Sequence, residues 1–214
     1  MTANSYPFEK ILPMKENSLH GQNNYRKISA EIENGAIDLF REMRRRNQQL
    51  PLEDCQRILQ TTTSGVLAVA GDDSYPYAVP LSFAYADGRL YFHVAKSGHK
   101  LDALRRNPKA SFCVIEQDEV VPKEYTTYFR SVIAFGKIRI VEDNAEKRRG
   151  LDLLADKYSP HETTESREAE IGKLINALYV LEMDIEHLTG KEGREFAEQR
   201  KNKPTTEKSA VGKV

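Results

Sequence analysis

The sequence predicts a mainly β protein, a small antiparallel barrel with peripheral helices. Three observations carry this expectation: β-rich segments follow one another along the chain, turn-forming residues separate them, and the helical segments between them are brief. Neither a Gly-x-Gly-x-x-Gly nor a P-loop pattern is present, which argues against the doubly wound nucleotide-binding folds. We therefore expect six antiparallel strands in meander order.

The charge balance and the cysteines argue against several classes of partner. Lys plus Arg and Asp plus Glu each number 32, so the formal net charge is zero, and neither nucleic acid nor an anionic membrane is expected. Cys55 and Cys113 lack a CxxC spacing, and the histidines lack metal-ligand spacing. No window approaches the roughly 18 apolar residues of a membrane span. We expect a cytoplasmic protein without a disulfide framework or a metal site.

Three regions are expected along the chain. Residues 1–40 are interpreted as an N-terminal arm and helix, residues 41–195 as the barrel domain, and residues 196–214 as a charged, disordered tail. Apolar residues at near-helical spacing predict one helix over Ile28–Arg46 and another over Leu52–Leu59.

The β-rich segments begin at Thr61. Asp87-Gly88 predicts a tight hairpin because both residues tolerate positive φ, and Gly136 predicts a bulge where a long strand bends. A short helix is expected in GHKLDALRRN and a surface helix over Ala145–Tyr158. The expected strands lie in TTTSGVLAVA, YPYAVPLSFAY, RLYFHVA, ASFCVIE, TTYFRSVIAFGKIRIVED and the end of IGKLINALYVLEMDIEHL.

A polar junction after the third strand is suited to binding a phosphate. The run Lys96-Ser97-Gly98-His99-Lys100 joins that strand to the short helix. Amides of a first helical turn point at an anion, Gly98 allows close backbone approach, and His99 and Lys100 supply positive charge. The same residues also fit a simpler interpretation, in which Ser97 caps the helix and its basic neighbours are solvated.

Several motifs in a fixed order give the chain a resemblance to a known family. The chain resembles the 5-nitroimidazole resistance (Nim) proteins, within the pyridoxamine 5′-phosphate oxidase-like superfamily of FMN-binding split barrels. The motifs are Met43-Arg44-Arg45, Tyr75-Pro76-Tyr77-Ala78-Val79-Pro80-Leu81, Tyr91-Phe92-His93, Gly98-His99-Lys100-Leu101-Asp102, Ser131-Val132-Ile133-Ala134-Phe135-Gly136 and Leu188-Thr189-Gly190-Lys191.

The resemblance implies a homodimer with FMN at the subunit interface. It places the FMN phosphate on His99 and Lys100, with Ser97 and Gly98 in the adjoining loop. It also implies that Ser131 donates a hydrogen bond to the phosphate or the ring.

The resemblance further implies that the flavin ring faces the backbone of one strand, at Pro80, Leu81 and Ser82. Tyr77 stands where the pyridoxamine oxidases have an Arg. This departure counts against pyridoxamine phosphate as the substrate.

His93 is the candidate catalytic residue. In the Nim proteins the His of the Tyr-Phe-His strand faces the cofactor, so the resemblance implies a flavin-facing proton donor or substrate contact. An imidazole with an ordinary pKa of about 6.5 is suited to that role. The alternative is a structural His whose ring nitrogens are satisfied inside the barrel.

Three functions remain open from the sequence. The first is an FMN-dependent oxidoreductase that takes hydride from NAD(P)H and reduces small acceptors such as nitroaromatics, 5-nitroimidazoles among them. The second is a non-catalytic flavin- or haem-binding protein, in which His93 would be an axial ligand. The third is a structural dimer without a cofactor.

Overall fold

The computed structural model describes residues 40–202, and its strands form one antiparallel sheet. The sheet has seven strands, not the expected six. The difference arises because Phe83 interrupts YPYAVPLSFAY, and the residues after it pair with a different neighbour. The strands are β1 Ser64–Ala70, β2 Pro76–Ser82, β3 Ala84–Ala86, β4 Arg89–Ala95, β5 Lys109–Val121, β6 Thr126–Val141 and β7 Leu178–Glu192.

The sheet closes on itself at Phe83. Its strand order is β2-β1-β5-β6-β7-β4-β3, so β2 and β3 lie at opposite edges. Only Phe83 separates these two strands in the sequence, and the two edges must therefore meet there. The result is an antiparallel split barrel, which confirms the predicted fold class.

Five α-helices surround the barrel in the described part of the chain. The helix predicted over Leu52–Leu59 is confirmed and runs to Thr61. Two later helices begin at side-chain caps, where Asp143 accepts from the Glu146 amide at 2.9 Å and Thr163 from the Ser166 amide at 3.1 Å. The helices are α1 Leu52–Thr61, α2 His99–Arg106, α3 Asn144–Tyr158, α4 Thr164–Leu174 and α5 Arg194–Asn202.

The turn and bulge predicted from glycines are both present. Asp87 and Gly88 have φ of 51° and 76°, as a tight hairpin between β3 and β4 requires. The β6–β7 register shifts between Phe135 and Gly136. A Cβ on Gly136 would lie 2.0 Å from the Asp184 carbonyl oxygen, so the close approach of the two backbones requires glycine.

The barrel interior is filled by large apolar side chains. Three phenylalanines form its centre: the Phe112 ring lies 4.8 Å from that of Phe83 and 5.0 Å from that of Phe92, both edge-on. All three are fully buried. Alternation along β4 places Leu90, Phe92 and Val94 inside and leaves the intervening side chains on the outer face.

A second apolar core lies outside the barrel. Helices α3 and α4 cover the outer face of β3, β4 and β7, where Leu151, Leu154 and Ile171 pack with Tyr91 and Val180. We call this the covered face. The helix predicted over Ala145–Tyr158 is confirmed, and its apolar side is buried against the barrel.

Among residues 40–202, no helix covers the outer face of β2, β1, β5 and the start of β6, except at its edge, where Ser82 lines a cavity with α3 and α4. Val66 is 39% exposed and Ile115 is 59% exposed there. The strand registers align its side chains in rows, and no charged side chain occurs in these rows until the Lys109–Lys137 pair, one row beyond Ser111. We call this surface the bare face; its residues are Ser64, Val66, Ala68, Ala78, Pro80, Ser82, Ser111, Cys113, Ile115, Ser131 and Ile133.

Two side chains at the end of α3 bind the backbone near the point where the barrel closes. The Tyr158 hydroxyl accepts a hydrogen bond from the Phe83 amide at 2.9 Å, and its single proton is within reach of two acceptors, the carbonyls of Thr63 and Phe83. The Lys157 amine donates to the Leu59 carbonyl at 3.1 Å and lies 3.9 Å from the centre of the Phe83 ring. Burial lowers the pKa of Lys157 to about 8.

Two expectations at the ends of the chain require correction. The helix predicted over Ile28–Arg46 lies largely outside the described residues, and its described part, from Phe40 onward, is not an α-helix. There Phe40 stacks on His187 at 4.7 Å instead. The tail predicted to be disordered from residue 196 continues as α5 to Asn202, because Phe196 packs on Tyr128 and Arg200 binds the buried Glu192. Residues 203–214 lie outside the described residues.

Candidate functional site

The split of the barrel lies between β2 and the end of β4. The β3–β4 ladder ends at the Ala84–Tyr91 pair, and in the described sheet β2 pairs with β1 alone. The Tyr77 ring lies 4.1 Å from that of His99, and Ser82 lines the same cavity as His93. Strand β2 therefore runs beside β4 and the junction that follows it. We call the space between Tyr77–Ser82 and His93–His99 the split groove.

The junction end of the split groove is built on Gly98, which caps α2 with φ of 126°. The interpretation of Ser97 as the helix cap is therefore wrong. The Gly98 carbonyl accepts from the amides of Leu101 and Asp102 at 2.9 and 3.2 Å. A Cβ on Gly98 would meet no atom within 4 Å, so this end is open, and the positive φ alone demands glycine.

The positive charges at this end are not equivalent. The His99 Nε2 lies 3.4 Å from a carboxylate oxygen of Asp72, and the same carboxylate also binds Arg106. His99 and Arg106 therefore share one carboxylate partner. Lys100 is half-buried, and none of the ion pairs among residues 40–202 involves it. Lys100, the exposed Ser97 hydroxyl and the amides of His99 and Lys100 therefore remain for an anionic ligand.

The other end of the split groove carries His93. This side chain is exposed on the outer face of β4, so the interpretation of a histidine satisfied inside the barrel is wrong. Extension of the β3–β4 register places Ser82 opposite His93. Pro80 and Ser82 point outward, whereas the Leu81 side chain packs against the inner core and offers only its backbone. An open strand edge presents unpaired amides and carbonyls to a ligand.

A cavity of about 320 Å³ opens at this end, under α3 and α4. Ser82 and His93 form its barrel side, and its helical side is largely apolar. A larger cavity of about 450 Å³ lies near the tip of the β5–β6 hairpin. That cavity contains none of the residues predicted to be catalytic or to bind the cofactor, so we assign the site to the split groove.

Ser131 is separated from the rest of the predicted site. It pairs with Ile115 on β5, while Ser82 pairs with Ser64 on β1. Three strand spacings therefore separate Ser131 from Ser82 across the bare face, about 14 Å. One subunit does not bring Ser131 into its own split groove.

Several residues of the site carry no signal in the sequence. Asp72 lies in a turn, and nothing in its spacing shows that it pairs with His99. Arg167 and Glu162, which line the cavity, come from α4 and the loop before it, more than 60 residues beyond His93. Only the packing of these elements against the barrel brings the groups together.

The described thiols are poor candidates for nucleophiles. Burial and the neighbouring Asp54 raise the pKa of Cys55 to about 12, and burial also raises the pKa of Cys113. Within residues 40–202 no group of three His, Cys, Asp or Glu side chains is placed to hold a metal ion. No helix of the described chain is long and apolar enough to cross a membrane.

Solved structures with the same fold come from several bacteria. A protein from Bacteroides thetaiotaomicron, to which 5-nitroimidazole antibiotic resistance is ascribed, aligns with a TM-score of 0.58 and 23% identity over 67% of this chain and 86% of its own. The conserved hypothetical protein Rv2991 from Mycobacterium tuberculosis aligns with a TM-score of 0.63 and 19% identity over 80% and 98%. An FAD- and haem-binding protein from Mycobacterium smegmatis aligns with a TM-score of 0.58 and 25% identity over 69% and 74%.

Sequence comparisons define the family. Protein RA0666 of Rhizobium meliloti (strain 1021) is 38% identical over 64 residues, which cover 30% of this chain and only 41% of that curated relative. The family model described as pyridoxamine 5′-phosphate oxidase matches residues 51–192, from the start of α1 to the end of β7. The chain therefore belongs to the pyridoxamine 5′-phosphate oxidase family.

Proposed function

We propose that this protein is an FMN-dependent oxidoreductase that reduces small acceptors such as nitroaromatics with a nicotinamide nucleotide as donor. The observation that carries the proposal is the arrangement along the split groove, with Lys100, which has no ion pair among residues 40–202, at one end and the exposed His93 at the other. The groove suits an elongated ligand with a phosphate at one end and a polar ring at the other. The family and the resemblance to the Nim proteins favour a flavin as that ligand.

The residues of the junction fit the phosphate of a flavin mononucleotide. Lys100 supplies a cation that no described carboxylate neutralises, and the amides of His99 and Lys100 at the start of α2 add backbone donors. The open edge of β2 around Pro80 and Ser82 offers backbone groups to the ring. The related Mycobacterium smegmatis protein binds FAD, so the identity of the flavin is part of the test.

The cofactor and the protein contribute different parts of the proposed reaction. A bound flavin supplies hydride acceptance and electron transfer to the acceptor. His93, exposed beside Ser82, is placed to give a proton to a reduced acceptor at the cavity mouth. The apolar side chains of α3 and α4 form the wall of the cavity opposite His93.

A second copy of the chain completes the site in this proposal. The bare face is uncharged and exposes Val66 and Ile115, which suits burial against an identical surface. Ser131 lies on this face and not in its own split groove. In a symmetric dimer, Ser131 of one subunit approaches the flavin held by the other.

The first experiment tests the flavin and its anchor. Purified protein is expected to show flavin absorption bands, and the flavin released by heat is expected to be FMN on chromatography. Lys100→Ala is expected to weaken flavin binding by about 1.5 to 3 kcal/mol, because it removes one charge-assisted contact. The control is Arg105→Ala, which removes an exposed cation near the other end of α2. Equal flavin affinity in the two variants contradicts the phosphate assignment.

The second experiment tests His93. His93→Ala and His93→Gln are expected to retain the flavin and to lose about 100-fold or more in acceptor reduction, since proton donation is worth that much. The measurements are flavin content, kcat and its pH profile. Unchanged kcat in both variants would show that His93 is not a proton donor.

An alternative function, haem binding, has one observation in its favour. His93 presents an exposed imidazole to an open cavity, as an axial ligand must, and the related Mycobacterium smegmatis protein binds haem as well as FAD. A Soret band that disappears in His93→Ala would support this function over nitroreduction.

A further inference from the structure

We propose that the cavity under α3 and α4 is the acceptor pocket, and that it selects small planar aromatics that are neutral or positively charged over anionic ones. This inference rests on the proposed function, because it assigns the substrate class of the same site. It is carried by the shape of the cavity and by an unbalanced charge at its rim.

The cavity joins an apolar wall to a polar mouth. Leu154, Ile171 and Leu174 supply apolar side chains from the two helices, and Ser82 and His93 lie opposite them on the barrel. Its volume of about 320 Å³ is at the small end for organic ligands. A single substituted ring fits this space, and an apolar wall favours a flat aromatic face over a sugar or a peptide.

The rim charges are mostly compensated. Arg167 forms an ion pair with Asp156 at 2.7 Å, so it is not available to bind an anionic substituent. Glu170 lies 3.5 Å from Lys173. Neither pair leaves a positive charge for a carboxylate or a phosphate to contact.

Glu162 is the exception on this rim. Its carboxylate accepts a hydrogen bond from the Ser166 hydroxyl at 3.2 Å, and among residues 40–202 no cationic side chain forms an ion pair with it. The loop between α3 and α4 therefore holds an uncompensated negative charge at the cavity. This charge repels carboxylates and phosphates and attracts an amine.

The position of the cavity ties it to the reaction. Ser82 and His93 line both the cavity and the split groove, and Glu162 lines the same cavity, so in this proposal the ring has its reacting end beside His93 and its substituent toward Glu162. The same charge disfavours phosphorylated pyridoxamine, in agreement with Tyr77 at the position where the pyridoxamine oxidases have an Arg.

The test compares three ligands that share one scaffold: para-nitrobenzylamine, para-nitrobenzyl alcohol and para-nitrobenzoate. Equilibrium binding is measured by saturation-transfer NMR and dialysis on the protein as purified, without nicotinamide nucleotide. The amine is expected to bind tightest and the benzoate weakest. Glu162→Gln is expected to weaken the amine about threefold to fivefold and to leave the alcohol unchanged. The control Glu165→Gln, a nearby exposed carboxylate outside the cavity, is expected to change neither.

A second variant tests the location. Ala155→Phe places a ring inside the cavity and is expected to abolish binding of all three ligands, with folding verified by circular dichroism and thermal melting. Equal affinities for amine and benzoate, or binding that survives in a folded Ala155→Phe variant, overturn the pocket assignment. Charge-selective binding to a protein that holds no flavin would overturn the proposed function and keep the pocket. Flavin-dependent reduction together with equal binding of the three ligands would overturn the pocket assignment and keep the proposed function.

Discussion

The covered face and the bare face of the barrel differ in how far their apolar side chains are shielded from water. Both are outer surfaces of one sheet and both carry apolar side chains. On the covered face the chain supplies two helices, and Leu151, Leu154 and Val180 are almost fully buried. On the bare face Val66 and Ile115 remain exposed. Within residues 40–202 the chain covers its outer surface with helices on one side, and we infer that a second copy covers the other.

The covered face is the more costly one to disturb. Leu178 is 6% exposed in the second core. Leu178→Ala is expected to lower the free energy of unfolding by about 2 to 5 kcal/mol, because it removes buried methyl groups and leaves a cavity. Urea denaturation measures this loss. Ile115→Ala on the bare face is the comparison, and an equal loss in a monomeric protein would contradict the distinction between the faces.

A charge on the bare face is expected to affect association and not folding. Val66→Arg places an unpaired guanidinium in the proposed dimer interface and is expected to weaken self-association roughly 30-fold or more, about 2 kcal/mol. Light scattering coupled to gel filtration measures the oligomeric state. The matched control is Val120→Arg, at an exposed position near the hairpin tip and outside the bare face. A wild-type protein that is monomeric at all concentrations rules out the dimer.

The smallest expected effect is a change in the pH dependence of stability, which reports how strongly α3 buries the amine of Lys157. Burial lowers the folded-state pKa of this amine from 10.5 to about 8. Between these values the unfolded chain binds more protons, so this group makes stability rise with pH. The free energy of unfolding of wild type minus that of Lys157→Met is expected to increase by about 1 kcal/mol across that window, after allowance for solvent screening. A difference that is flat with pH would show that α3 leaves the amine solvated.

The local features of the fold were predictable because their signals are local. Asp87-Gly88 specifies its turn through backbone conformation alone, and the bulge at Gly136 follows from a glycine within a long β-rich segment. The helix after Pro51 is likewise marked by its own residues. The break at Phe83 was missed, because a buried phenylalanine between two strands resembles any other strand residue.

The candidate site likewise contains some residues that local sequence predicts and others that it does not. The junction Ser97–Lys100 could be selected because a polar, glycine-containing run between a strand and a helix has a chemical meaning of its own. The pairing of His99 with Asp72 and the lining of the cavity by Glu162 could not be selected, since these contacts depend on how distant elements pack. The sequence favours Ser97 as the N-cap of α2, because serine has the better capping side chain. The cap is Gly98 instead, because the backbone at that position needs a positive φ.

The position of β7 in the sheet has a consequence for synthesis of the chain. This strand is the last in sequence, yet it lies between β6 and β4 and is hydrogen-bonded to both. Until Leu178–Glu192 has left the ribosome, β6 and β4 each lack a partner on one side, and these unpaired edges are open to other nascent chains. A chain that stalls after α4 therefore exposes an aggregation-prone intermediate, and completion of a single strand converts that open sheet into a closed barrel.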